Sequence, residues 1–200
     1  MPKVFVLLGR PGSGKTTVSD YYSKITNFPV VHVGQEIRKL ASQGHMLAKD
    51  VAEDMQNARD YDPQKVTTIL SEIISNNPKF TNGLILDGFP RFKNALPAFE
   101  EFLKKNNLKM GKVILFKVPK SQSIQRQLSR KRDSKEVIKL REENFSSVES
   151  ELIEHYKKQG LLKTLRAMNF KRRKKKVPEY FLKIQAKNLG KIIRSAKRKS

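Results

Sequence analysis

The residues from Gly9 to Thr16, Gly-Arg-Pro-Gly-Ser-Gly-Lys-Thr, fit the pattern G-x-x-x-x-G-K-[ST]. The apolar run Val4 to Leu8 precedes them, and a helical pattern follows. Glycines at 9, 12 and 14 let the backbone turn its N–H groups inward around phosphate oxygens. Lys15 adds a point charge, and the helix that follows aims its N-terminus at the anion. Pro11, Ser13 and Thr17 complete the loop, and the Thr16 hydroxyl suits a Mg²⁺ ion. Asp87 closes a later apolar run, so its carboxylate emerges at the C-terminal edge of a sheet beside this loop, where it is a second partner for Mg²⁺, direct or through water. The plainer readings are a glycine-rich turn and a helix-capping Asp. The strand before and the helix after the loop argue against them.

Such a loop has to be held by strands buried on both faces. Val4 to Leu8, Pro29 to Val33, Gly83 to Asp87 and Val113 to Val118 are continuous apolar runs of that kind, and Leu161 to Ala167 is a weaker fifth. Helical spacing or composition marks Thr16 to Ile25, Gln35 to Ser42, Ala48 to Ala58, Pro63 to Ser75, Asn94 to Lys105, Ser121 to Arg130 and Lys135 to Lys158. The alternation predicts an α/β fold with a doubly wound, five-stranded parallel sheet of the P-loop NTPase type. The interval between the second and third strands exceeds one crossover helix, which predicts a small inserted helical module.

The chain has 200 residues, 38% of them hydrophobic, enough for one compact domain. No apolar run approaches the roughly 18 to 20 residues of a membrane helix, so a soluble cytoplasmic protein without a membrane partner is expected. With no cysteine, thiolate zinc sites and cysteine nucleophiles are excluded. The net charge is +23, and the last 30 residues hold 13 basic residues and one acidic. Positive charge of this size serves either a nucleic acid or small anionic substrates such as nucleotides. The run Lys171 to Lys176 reads as a charged loop, a nucleic-acid patch or a nuclear-localisation signal, and residues 194–200 as a basic tail.

The string Asp87-Gly88-Phe89-Pro90-Arg91, downstream of that loop, closely resembles the signature of adenylate kinases and related nucleoside monophosphate kinases, of the short-lid type. The similarity runs to about residue 165 and takes in Gly34 to Arg38, Val118-Pro119, Arg126, Arg130, Arg132, Arg141 and Tyr156 to Leu162. The resemblance implies transfer of the γ-phosphoryl group of MgATP to a nucleoside monophosphate, with AMP favoured and CMP, UMP or broad use as alternatives. It implies a core of residues 1–33, 63–129 and 142–200, a monophosphate-binding module at 34–62 and a lid at 130–141. Gly34, Arg38, Arg59, Tyr61, Gly88, Phe89 and Arg91 would then hold the acceptor. Arg126 and Arg130 would hold ATP, and Lys15, Arg91, Arg132 and Arg141 would surround the phosphates in transfer. A monomer is expected. A planar guanidinium suits such work because its fork pairs with two phosphate oxygens at once.

Two positions depart from the pattern of relatives that use AMP: Val33 stands where they usually carry threonine, and Ala95 where they usually carry glutamine. Neither side chain can hydrogen-bond a base. Thr16 replaces a usual glycine, and Lys117 a residue that is often acidic. The scattered histidines 32, 45 and 155 share no metal-ligand spacing and read as packing or surface residues.

Overall fold

In this computed structural model the described residues are 1–57, 59–75, 77–129, 134–166 and 179–197, with no side-chain description for 144 and 146–149. Five strands, β1 (Lys3–Leu8), β2 (Val30–His32), β3 (Leu84–Asp87), β4 (Lys109–Lys117) and β5 (Leu162–Arg166), form one parallel sheet in the order β2-β3-β1-β4-β5. β1 lies at its centre, between β3 and β4. That position explains the unbroken apolar run: Val4 and Val6 face one layer of helices, Phe5 and Leu7 the other, and all four are buried.

One layer is made by α1 (Lys15–Thr26) and α8 (Glu179–Lys197), which close over Phe5, Leu7, Ile85, Ile114 and Phe116. On the opposite face α4 (Pro63–Ser75), α5 (Leu96–Lys105) and the second half of α7 (Lys135–Lys158) bury Ile69, Leu70, Phe99, Phe102, Leu152 and Tyr156 against Val4, Val6, Leu84 and Leu86. Between β2 and α4 stand α2 (Val33–Ser42) and α3 (Met46–Gln56), packed on each other as the long interval predicts. Gly44, at φ +92°, turns the chain between them, and the His45 ring caps α3 by accepting from the Ala48 amide. α6 (Lys120–Leu128) follows β4.

Several boundaries differ from the expectation, each for a visible reason. Val33 opens α2 instead of ending β2, because β2 needs only three residues to pair with Ile85, Leu86 and Asp87. β4 begins four residues before Val113, pairing Lys109 and Met110 with Lys3 and Val4. Gly111 hides this segment in the sequence: a Cβ there would lie 2.8 Å from the Phe5 ring, so the strand must carry a glycine to pass it. β5 is an edge strand with only Leu165 buried, which accounts for its weak signal. Residues 135–141 of the expected lid are the first turns of α7. Residues 194–197 of the expected tail continue α8, because Ile193 and Ala196 are buried under it and the Lys197 ammonium sits 4.6 Å from the Phe28 ring centroid. Lys171 to Lys176 and residues 198–200 lie outside the described residues.

Candidate active site

The loop from Gly9 to Gly14 joins the end of β1 to α1 at the C-terminal edge of the sheet. At Gly9 and Gly12 it lies so close to its neighbours that a side chain is excluded. A Cβ on Gly9 would fall 2.5 Å from the Phe116 carbonyl, and one on Gly12 would fall 3.0 Å from the Ser123 carbonyl. Gly9, Gly12 and Gly14 all take positive φ, a backbone that glycine adopts without strain, and the Ser13 amide closes the loop on the Arg10 carbonyl at 3.0 Å. Lys15 donates to the Gly9 carbonyl at 2.5 Å and the Arg10 carbonyl at 3.2 Å, which folds its ammonium back over the loop.

Asp87 ends β3 beside this loop and is paired in register with Leu7 of β1 and His32 of β2. The Thr16 hydroxyl donates to it at 2.7 Å, and His32 Nδ1 lies 3.1 Å from the same oxygen. The other ring nitrogen of His32 lies 2.6 Å from Asp20. Burial opposes the charge on Asp87, but the His32 hydrogen bond, the Lys15 charge and the Thr16 hydroxyl outweigh it and hold its pKa below the ordinary 3.8. Burial likewise opposes charge on His32, and bonding to Asp87 and Asp20 outweighs it, raising its pKa above the ordinary 6.5. The Asp87 contribution to stability is present above pH 3.8 and lost as pH falls through its depressed value; the His32 contribution is complete below pH 6.5 and lost as pH rises through its raised value. His32→Asn should therefore lower the Tm of the nucleotide-free, chelator-treated protein most between these two values, and progressively less on the alkaline side. A Tm difference constant from pH 5 to pH 9 would contradict this.

Across the cleft, Arg38 of α2, Arg59 and Tyr61 before α4, Arg91 after β3 and Arg141 of α7 face the loop around about 440 Å³. Gly34, Gly88, Met55 and Phe92 complete the wall. Arg141 also donates to the Met55 carbonyl at 3.1 Å, tying α7 to the inserted helices. Of the expected site residues, Gly9, Pro11, Gly12, Ser13, Gly14, Lys15, Thr16, Thr17, Gly34, Arg38, Arg59, Tyr61, Asp87, Gly88, Arg91 and Arg141 share this one cleft. Phe89 does not: its ring is fully buried and meets Phe99 edge-on at 5.9 Å, so the ring packs the core. Arg126 lies on the outer side of the loop, donating to the Gly12 carbonyl at 3.2 Å. Arg130 and Arg132 lie outside the described residues.

Gln35 and Glu142, which carried no site expectation, and His32, expected to be a packing or surface residue, belong to the site or its support. His32 lines the cleft at the end of β2, set against Asp87 by the register of β2 on β3. Gln35 lines it too. Glu142 is buried behind it, with the Arg10 guanidinium at 2.5 Å, the Ser123 hydroxyl at 2.6 Å and the Gln127 amide at 2.8 Å. Ser123 also reaches the Pro11 carbonyl at 2.6 Å, so Glu142 joins the loop, α6 and α7. Removing one member of a buried pair costs about 3–5 kcal/mol; Arg10 keeps 21% of its side chain exposed, so Glu142→Ala should cost about 2–3 kcal/mol in urea unfolding. A loss under about 0.5 kcal/mol would show that the network does not brace the loop.

What this arrangement suits is phosphate: a glycine loop and five cationic side chains around one ionised carboxylate. The family model described as adenylate kinase matches residues 7–161, which hold the loop, both walls of the cleft and all of α7. The chain belongs to the adenylate kinase family. The adenylate kinase of Nocardia farcinica (strain IFM 10152) is 34% identical over 162 residues, 80% of this chain and 88% of that protein. The adenylate kinase of Corynebacterium urealyticum (strain ATCC 43042 / DSM 7109) is 34% identical over 153 residues, 76% and 84% of the two chains. That of Prochlorococcus marinus (strain NATL2A) is 32% identical over 167 residues, 82% and 90%. The protein is a phosphotransferase, a nucleoside monophosphate kinase with ATP as donor. As in other adenylate kinases its sheet is parallel and five-stranded, and among the described residues no helix is long and apolar enough to cross a membrane.

Proposed function

We propose that the physiological reaction is ATP + AMP = 2 ADP, carried out in the cleft between the glycine loop and the arginine wall. The observation that carries this reading is the convergence of Lys15, Arg38, Arg91 and Arg141 from four separate elements on one space beside the loop. Phosphoryl transfer needs little covalent chemistry from a protein; it needs alignment and positive charge around the equatorial oxygens. Lys15 and the loop amides grip the donor phosphates. Arg38 and Arg91 grip the acceptor phosphate, so that its oxygen attacks the γ-phosphorus in line while ADP leaves. Arg141 and, outside the described residues, Arg132 cover the group in transit. Arg126, on the outer side of the loop, and, outside the described residues, Arg130 hold the donor nucleotide, and Gly34, Arg59 and Tyr61 border the acceptor base. In this reading the inserted helices of 34–62 are the acceptor module and 130–141 the lid.

The residues present also fit Mg²⁺. Asp87 is held ionised with the Thr16 hydroxyl beside it, and Mg²⁺ asks for only one or two carboxylates because phosphates and water fill its remaining positions. When bound, the ion would neutralise charge on the donor phosphates; Thr16 and Asp87 would hold it, directly or through water.

Base selection should be loose. Val33 and Ala95 are both fully buried and offer the base no side-chain hydrogen bond. A site built on such bonds rejects the wrong substrate by about 10⁴–10⁵, whereas one lacking them discriminates by about 10–200-fold. In a coupled assay with MgATP, AMP should give the highest kcat/KM, with CMP and UMP about 10–200-fold lower and acceptor-free ATP hydrolysis slower than any transfer. Hydrolysis as fast as the reaction with every monophosphate would overturn the kinase reading, and discrimination above about 10⁴ would overturn the loose base site.

A further inference from the structure

The kinase reaction leaves the charge outside the cleft without a task, and one helix carries an ordered row of it. In α8, Lys183, Lys187, Lys191 and Arg194 are all exposed and recur at intervals of four, four and three. At 3.6 residues per turn they fall within an arc of about 80° and form a stripe about 16 Å long. The helix carries a single carboxylate, Glu179, and it is engaged: Lys183 lies 3.4 Å from it and the Tyr21 hydroxyl donates to it at 3.3 Å. Lys187 and Lys191 make no hydrogen bond or ion pair among the described residues. Tyr180, 58% exposed, stands at the start of the same stripe. Beside it on the edge strand, Lys163 is exposed on the sheet face whose neighbouring residue Leu165 packs under α8.

We propose that this outer face of α8 is a docking surface for the phosphate backbone of a single-stranded nucleic acid. A row of cations with few counter-charges is the electrostatic footprint of a polyanion site, and an exposed tyrosine beside it offers a stacking platform to an unpaired base. An anionic membrane is the poorer partner. The apolar side of α8, Ala186, Leu189, Ile193 and Ala196, is committed to the core and has nothing to insert between lipids. None of the stripe residues lines the catalytic cleft, so a bound strand leaves nucleotide access open.

The test is the binding of a fluorescent 20-nucleotide single-stranded RNA to the full chain, followed by anisotropy across a KCl series. Each phosphate contact contributes about 0.7 to the slope of log K against log salt. The double variant Lys187→Gln/Lys191→Gln should lower that slope by about 1.4 and weaken binding at least tenfold at 0.1 M salt, with phosphoryl transfer unchanged. The control Lys104→Gln/Lys105→Gln removes the same charge from α5, on the opposite face of the sheet, and should leave the slope as it is. Equal slopes for the stripe variant and the parent would overturn the proposal, as would equal losses in both variants. Stronger retention on phosphatidylserine vesicles than on RNA would overturn it in favour of a membrane. Because transfer is measured on the same samples, loss of RNA binding with intact kinase activity, or the reverse, separates this surface from the catalytic reading.

Discussion

Lys15→Met should lower kcat by about 10³-fold, equivalent to about 4 kcal/mol of transition-state stabilisation. The methionine keeps a long apolar stem and removes the ammonium that folds back over the loop. The ammonium is held by the Gly9 and Arg10 carbonyls and by Ser13 Oγ at 3.4 Å, which keeps the cation beside the loop that the proposed reading gives to the donor phosphates. Binding exchanges those neutral acceptors for charged ones, and charge-assisted bonds are roughly twice as strong. The exchange is larger still when charge builds on the transferred group, which is why kcat should fall more than donor affinity. Little stability should be lost, because three glycines at positive φ, close packing against Phe116 and Ser123, and the Glu142 network hold the loop independently of Lys15. Single-turnover transfer, donor affinity and Tm measured on one preparation decide it. A kcat within threefold of the parent would remove Lys15 from the chemistry, and a Tm loss matching the activity loss would make it a structural residue.

The parts of this protein that were legible in its sequence are those in which a single local rule acts. Val4 to Leu8 had to be a central strand because it is apolar at every position, and β1 does lie between two partners. The glycine loop and Asp87 carried their own signals, one by composition and the other by closing an apolar run. What stayed hidden depends on a neighbour distant in sequence. His32 is an ordinary histidine until the register of β2 on β3 sets it against Asp87. Glu142 looks like one more charge on an exposed helix, and only the packing of α6 and the loop against α7 makes it buried. Phe89 misled in the opposite direction: it sits within a site motif, yet its ring is spent on the core while the residues on either side of the turn, Gly88 and Arg91, face the cleft. The end of α8 was obscured by its own lysines and arginines, since a basic tail and a basic outer helix face have the same composition. Only the burial of Ile193 and Ala196 separates them.

Arg91→Ala should reduce kcat/KM for the acceptor by about 10³-fold while leaving donor affinity within about twofold. Arg91 is exposed at the mouth of the cleft and follows the short turn after β3, so its removal leaves no hole in the core. Its nearest electrostatic consequence is on Tyr61. Burial pushes that hydroxyl up to about 12, and the Arg91 charge pulls in the other direction, so the arginine lies near Tyr61, on the wall that the proposed reading gives to the acceptor. Arg38 lines the same cleft from α2, and in the proposed reading both guanidinium groups pair with the acceptor phosphate. The two should differ in kinetic signature. If Arg38 acts mainly in capture, Arg38→Ala raises the acceptor KM with a smaller change in kcat, whereas Arg91, closer in the chain to Asp87 and the transfer point, lowers kcat. Arg91→Lys should recover less than a tenth of the loss, because an ammonium cannot reproduce the two-pronged contact. Should Arg91→Ala weaken ATP and AMP alike, the arginine serves both nucleotides and the division of the cleft into donor and acceptor walls is wrong. Unchanged turnover would exclude it from the reaction.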